Sequence, residues 1–205
     1  CFAEYNIDPE RKLVGLFPGS RKGEIKRVLP VLVDSAELIK DKHNNVQFIL
    51  PVASTLSIDF IEPYLKHHSH LDIRVVKDRS YNIMQICDAI MTASGTATLE
   101  IALMGIPNTI VYRIAPISYF ILKRMITIDK IGLVNIVAEK DVIREYIQHE
   151  AVPAKIAAEV DLLLFDKNYR TEMVNEMAKV REKLGKKGGS NNIAQLAYTM
   201  LNTSK

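Results

Sequence analysis

The chain has little cysteine and no long hydrophobic run. Its 205 residues include two cysteines, Cys1 and Cys87, which lie far apart and outside any CxxC pair. Neither a disulfide framework nor a zinc ribbon is therefore supported, and a reducing, cytoplasmic compartment is expected. The longest apolar stretch near the middle of the chain, residues 114–122, has nine residues, whereas a membrane-spanning helix needs about 20. We expect no membrane-spanning helix.

The excess of basic over acidic residues is also small. The formal net charge is +3, and the basic residues are spread over several clusters, which does not indicate nucleic-acid binding. With 48% hydrophobic and 25% charged residues, the chain can bury one core, which predicts one domain or one domain with an appendage. It begins with neither Met nor a signal sequence, and we expect it to be a piece of a longer protein.

Short β-like runs alternate with amphipathic stretches of helical spacing. The candidate strands are residues 13–17, 47–53, 71–76, 89–93 and 108–112. The candidate helices between them are residues 23–42, 58–68, 81–88 and 95–105. Pro30 and Pro63 should bend or break the first two helices. The alternation predicts βαβ units, and therefore an α/β, Rossmann-like parallel sheet with flanking helices.

The end of the chain predicts a helical tail. Residues 169–204 are typical of two helices, with a glycine-rich break that includes Gly185. The second helix carries an apolar stripe at helical spacing, formed by Ile193, Leu196, Ala197, Met200 and Leu201. We expect residues 1–186 to form the Rossmann-like domain, and the helix in residues 187–205 to pack on a missing domain or on a second subunit.

Two loops at predicted strand ends carry ligand-binding chemistry. In "FPGSRKGE", Gly19 and Ser20 turn the chain where a helix begins, and the Arg21 guanidinium can make forked hydrogen bonds to a phosphate. Ligands bind at this end of parallel strands. The loop therefore predicts an anion site.

The second loop is "ASGTATLE". Ser94, Gly95 and Thr96 allow close approach of a ligand, and the following helix dipole favours an anion. Glu100 lies one helical turn later, where it could accept hydrogen bonds from a ribose diol. A plainer interpretation is that the small residues only cap the helix and that Glu100 is a solvated acid. The occurrence of both loops on one sheet edge favours a diphosphate site.

Nothing in the sequence indicates a metal or another cofactor. There is no DxD carboxylate pair to bind a metal ion. We expect the protein to need neither a metal nor another cofactor. The histidine cluster His67, His68 and His70 follows a polar stretch, which favours a surface patch over a metal site. Residues 114–132 could rest on an anionic bilayer or cover the sheet as an amphipathic helix, and we favour the second interpretation.

Four stretches in order, "GLFPGSRKGEI", "ASGTATLE", "GIPNTIVYRIAP" and "IGLVNIV", resemble the carboxyl-terminal half of the lipid-A-disaccharide synthase family. These are glycosyltransferases of the two-Rossmann-domain (GT-B) architecture. The resemblance implies transfer of 2,3-diacylglucosamine from UDP-2,3-diacylglucosamine to 2,3-diacylglucosamine 1-phosphate, with inversion and release of UDP. It also implies that a missing amino-terminal domain supplies the catalytic base and most of the acceptor site.

The resemblance also implies roles for individual residues. Arg21 would be catalytic by binding the donor diphosphate, and Glu100 would bind the ribose. The loop-forming and phosphate-supporting residues would be Gly19, Ser20, Ser94, Gly95 and Thr96. Arg113 matches a family Tyr-Arg pair, and Asn135 matches a Leu-Pro-Asn motif that is Leu-Val-Asn in this chain. Gln148 and Glu150 match a Gln-x-Glu stretch that has no assigned role.

Alternatives to this family remain open. Another UDP-sugar enzyme, such as an epimerase or a peptidoglycan-type glucosaminyl transferase, could share both loops. A non-catalytic nucleotide-binding or nucleic-acid-binding module is a third interpretation. For the preferred one, we expect a cytoplasmic enzyme at the inner face of the inner membrane, with a homodimer as one possible assembly, and we expect this half to be inactive without the missing domain.

Overall fold

The computed structural model describes residues 2–115 and 130–185, which fold around one six-stranded parallel sheet. The strands are β1 (Lys12–Phe17), β2 (Val46–Val52), β3 (Ile73–Lys77), β4 (Ala89–Ala93), β5 (Asn108–Tyr112) and β6 (Glu145–Ile147). Their spatial order is β3-β2-β1-β4-β5-β6. The five predicted strands and the α/β class are confirmed. The short edge strand β6 was not predicted.

Helices cover both faces of the sheet. They are α1 (Lys22–Lys42), α2 (Glu62–Leu65), α3 (Ser80–Met84), α4 (Thr96–Leu103), α5 (Leu133–Ala138), α6 (Pro153–Phe165) and α7 (Lys167–Leu184). Short 3-10 turns span Ala3–Tyr5, Ile58–Phe60, Lys66–His68 and Gln148–Glu150. On one face α6 packs on α1, and elsewhere α7 contacts α4, α5 and α6.

The central strands β1, β2 and β4 are mostly apolar, because both of their faces are buried. In β1, Val14 and Leu16 pack into the larger core with α1, whereas Leu13 and Phe17 pack into a smaller core on the opposite side. β4 divides in the same way, with Met91 in the larger core. Because residues on both faces of these strands are buried, apolar and polar residues do not alternate along them in the sequence.

The two predicted proline effects differ in outcome. α1 continues through Pro30 to Lys42, so the prediction of a break there is wrong. Nine α1 residues are buried, and we attribute the continuity to this packing. The predicted helix over residues 58–68 is instead a four-residue α2 between two 3-10 turns. Pro63 lies in the first turn of α2, where its missing N–H costs little.

The first predicted tail helix is α7. The Asp166 carboxylate caps it by accepting hydrogen bonds from the backbone N–H groups of Asn168 (2.9 Å) and Tyr169 (3.0 Å). The helix ends at Gly185, whose φ is +77°. The second predicted tail helix, and most of the segment 114–132, lie outside the described residues. Within the described ranges, every helix is too short or too polar to span a bilayer.

Candidate functional site

The sheet reverses its strand order between β1 and β4, and the two predicted loops meet there. β1 and β4 are adjacent and in register, with Phe17 opposite Thr92. Chains leave the carboxyl ends of these two strands in opposite lateral directions, because β2 lies on one side and β5 on the other. Such a reversal opens a crevice above the sheet, which is where ligands bind in this class of fold.

A cleft of about 510 Å³ occupies this position. It is lined by residues that follow several strands: Gly19, Ser20, Arg21, Glu24, Ala53, Ser80, Tyr81, Ser94, Gly95, Thr96 and Glu100, together with Phe17, Pro51, Met84, Thr92, Ala93 and Ala97. Seven of the nine residues expected at the site therefore share one cleft. The other two, Arg113 and Asn135, lie elsewhere.

Three hydrogen-bond donors in the loop after β1 bind the carboxylate of Glu24. Glu24 Oε2 accepts hydrogen bonds from the backbone N–H groups of Ser20 (3.2 Å) and Arg21 (3.3 Å), and its Oε1 accepts one from Arg21 Nη1 at 2.9 Å. Gly19 has a φ of +98°, and a Cβ there would overlap Glu24 Oε2. Glycine is therefore needed at this turn for both its backbone conformation and its lack of a side chain.

The loop after β4 offers donors of two kinds. The Ser94 N–H donates to Val111 O (3.2 Å) within the sheet, so that amide is unavailable to a ligand. α4 begins at Thr96 with Gly95 at its N-cap, and no side chain caps it in the described part of the chain. Gly95 thus occupies the N-cap position of the plainer interpretation, and the Ser94 hydroxyl and the first N–H groups of α4 are left as donors.

Tyr81 is a cleft residue that sequence reasoning missed. It lies in α3, and about half of its surface is exposed. Hydrogen bonding with the Glu100 carboxylate raises the pKa of the Tyr81 phenol, because the bond stabilises the protonated form. Its position just after β3 is the signal that could have found it, since β3 ends at the same sheet edge as β1 and β4.

Arg113 is held away from the cleft. Its Nη2 donates to Ala151 O at 2.7 Å. The neighbouring backbone of Ile114 makes a two-way contact with the Gln148 amide, donating to Oε1 (2.8 Å) and accepting from Nε2 (3.2 Å). Gln148 thus fixes the chain where it leaves β5. Glu150 forms an ion pair with Lys155.

Asn135 lies in α5 and is fully buried. Its Oδ1 accepts from the backbone N–H groups of Val142 and Ile143, both at 2.9 Å. Its Nδ2 donates to Ile143 O and to Glu145 Oε1, both at 2.7 Å. All four hydrogen-bonding positions of the amide are occupied by the protein. Asn135 therefore holds the backbone before β6 in place and lies outside the cleft at the strand reversal.

The histidine cluster pairs with acids on α1. His68 Nδ1 lies 3.1 Å and His70 Nε2 lies 3.2 Å from the Glu37 carboxylate, and His68 Nε2 lies 3.9 Å from Asp34 Oδ1. One ligand-type atom from each of Asp34, Glu37 and His68 lies within 4.8 Å of the other two. Because the imidazoles and carboxylates already face one another in pairs, the cluster ties the 3-10 turn to α1.

A second cleft, of about 550 Å³, lies between β6 and α6. Its buried acid, Glu159, accepts a hydrogen bond from the Tyr169 hydroxyl at 2.7 Å. Burial raises the pKa of Glu159, and burial together with the Glu159 charge raises the pKa of Tyr146 to about 12. Neither glycine-bearing loop reaches this cleft, so the donors at the end of β1 do not line it.

These features define half of a two-Rossmann-domain glycosyltransferase fold. A solved structure of WaaG, a glycosyltransferase involved in lipopolysaccharide biosynthesis, superposes with a TM-score of 0.60 at 11% identity over 88% of this chain and 45% of that one. A UDP-GlcNAc 2-epimerase from Neisseria meningitidis, bound to UDP-GlcNAc, gives 0.56 at 13% identity over 89% of this chain and 46% of that one. At such low identity, the two likenesses establish the fold alone.

Sequence comparison identifies the family as well as the fold. The chain belongs to the Lipid-A-disaccharide synthetase family, whose model matches residues 2–199. It is similar to the lipid-A-disaccharide synthase of Geobacter metallireducens, with 47% identity over 201 residues, which are 98% of this chain and 52% of that protein. The chain therefore spans about half the length of the curated relatives it matches.

Proposed function

We propose that this chain is the donor-nucleotide half of a lipid-A-disaccharide synthase and that its cleft holds the UDP moiety of UDP-2,3-diacylglucosamine. The observation that carries the proposal is the meeting of the Arg21 loop and the Glu100 helix in one cleft at the strand reversal. In this arrangement the diphosphate lies at the start of α1 beside the Arg21 guanidinium. The ribose lies beside Glu100, and membership of the family supports this assignment.

The chemistry required of this half is stabilisation of the leaving group. Negative charge grows on UDP as the glycosidic bond to the donor sugar breaks, so positive charge and N–H dipoles at the diphosphate lower the barrier. Arg21 is 83% exposed at its side chain, and the first-turn N–H groups of α4 lie across the cleft. These groups supply the stabilisation in our proposal, and removal of the acceptor proton requires a base.

We assign that base, and most of the acceptor site, to a domain outside this chain. The relatives are about twice as long as the matched region, which supports a second domain facing this cleft. The acylated substrates favour a location at the inner face of the inner membrane. In this proposal the chain binds nucleotide without performing transfer by itself.

A second candidate is a different UDP-sugar enzyme, because the same half-fold occurs in the epimerase of Neisseria meningitidis. The two candidates differ in the sugar that they accept. Competition of UDP-2,3-diacylglucosamine and UDP-GlcNAc for the cleft separates them, since only the acyl-sugar enzyme should prefer the acylated donor in the presence of its second domain.

Titration calorimetry with UDP tests the nucleotide site. Arg21→Ala and Glu100→Ala should each weaken binding by about 1.5–3 kcal/mol, because each loses hydrogen bonds to a charged group. Arg181→Ala and Glu172→Ala remove the same charges from exposed positions on α7 and should leave affinity unchanged. Wild-type affinity in both folded cleft variants would refute the assignment.

A further inference from the structure

The donors of the first loop are already occupied by a carboxylate of the protein itself. Glu24 accepts hydrogen bonds from the N–H groups of Ser20 and Arg21 and from the Arg21 guanidinium. These are three of the donors that our proposed function assigns to a phosphate. A carboxylate and a phosphate oxygen pair present the same charge and similar geometry to such donors, so the Glu24 side chain stands where a phosphate group would bind.

The local structure is built to admit this side chain. Glu24 lies in the first turn of α1, a 21-residue helix, where the helix dipole favours negative charge. Gly19 keeps the space open, because a Cβ there would overlap Glu24 Oε2. The Glu24 side chain is 32% exposed, so it can leave the loop for solvent without disturbing the core.

We propose that Glu24 is a built-in competitor for the phosphate subsite, which a nucleoside diphosphate must displace in order to bind. The inference rests on the proposed function and concerns the specificity of the same cleft. Two anions cannot share three donors, so Glu24 swings out as the diphosphate enters. A ligand without phosphates gains nothing from the displacement, and the carboxylate therefore biases the cleft towards ligands with strong negative charge.

A different role for the same residue would have the opposite effect. If Glu24 stayed in place and only oriented Arg21, removal of the Glu24 carboxylate would leave the guanidinium without a fixed orientation. Phosphate binding would then weaken. The sign of the change in affinity therefore distinguishes a competitor from a positioning residue.

Glu24→Gln is the variant that tests this inference. Glutamine keeps the hydrogen bond to the backbone at the start of α1 and removes the charge, so the urea midpoint should fall only slightly. Because UDP then no longer has to break the exposed ion pair between Glu24 and Arg21, its binding should tighten by about two- to fivefold. This gain in UDP affinity over wild type should be smaller at high salt. Uridine, which lacks phosphates, should bind the variant and the wild type equally.

Asp41→Asn is the matched control, because it removes the same charge at the far end of the same helix, about 25 Å away. Calorimetry should show wild-type UDP affinity for this variant. Unchanged or weaker UDP binding by Glu24→Gln, with wild type binding UDP normally, would overturn the competitor role and leave the proposed function intact. Failure of wild type and variant alike to bind UDP would overturn both.

Discussion

Replacing Asn135 tests whether this residue holds the fold or the ligand. Asn135→Ala removes the acceptor of the Ile143 N–H and the donor to Ile143 O in a fully buried site. Two other partners are less affected, because the Val142 N–H also reaches Lys140 O (3.1 Å) and Glu145 also accepts from Gly132 and Ile131. Each of these two orphaned buried groups costs about 1–3 kcal/mol, so the free energy of unfolding should fall by about 2–6 kcal/mol.

Urea unfolding followed by far-ultraviolet circular dichroism measures this loss. Asn168→Ala, at an exposed position on α7, is the control and should change stability by no more than about 0.5 kcal/mol. The folded fraction of Asn135→Ala should bind UDP with wild-type affinity. A stability loss below about 1 kcal/mol, accompanied by weakened UDP binding, would refute the structural role and return Asn135 to the ligand site.

Two further predictions concern stability against pH and the division of catalysis. Burial raises the pKa of Glu159 from its ordinary 4.5, so its contribution to stability is full below that pH and is lost as the pH rises through the folded-state pKa. Glu159→Gln keeps the acceptor for Tyr169 and should gain stability relative to wild type from pH 4.5 upward in urea titrations; a constant difference would contradict this. The purified chain should bind UDP but form no disaccharide from the two acylated substrates, because loss of general-base catalysis alone costs about 10²–10⁴-fold. Transfer at a rate comparable to that of the intact enzyme would show that the base lies in this half.

The sheet was predictable from sequence because its strands are short apolar runs separated by amphipathic stretches. Five of the six strands have this sequence pattern. β6 did not, since Glu145–Ile147 has only three residues and its central Tyr146 is the one buried position. Such an edge strand depends on pairing with β5, which no local pattern reveals.

The cleft was predictable to the extent that chain order determines it. Both loops follow strands, and parallel strands end at one edge, so Arg21 and Glu100 were expected to meet. The partner of Arg21 was not predicted, because the contact with Glu24 depends on the turn at Gly19, whose φ is +98°. Tyr81 was missed because it becomes a cleft residue only through the turn after β3, where Asp78 and Arg79 both adopt positive φ.

At two positions that match family motifs, the structure shows contacts within the protein and none in the cleft. Asn135 and Arg113 have polar side chains typical of ligand contacts, yet both are used to hold backbone around β5 and β6. An amide or guanidinium satisfies buried backbone groups as well as it satisfies a ligand. Residue type alone therefore could not separate the two roles.

An NMR titration of the labelled chain with UDP tests the central claim most directly. If the cleft at the strand reversal holds the nucleotide, the backbone amide signals of Ser20, Arg21 and Thr96 should shift saturably. Those of Ile147 and Glu159, in the cleft beside β6, should remain in place. Shifts confined to the β6 cleft, or no saturable shifts at all, would contradict the account.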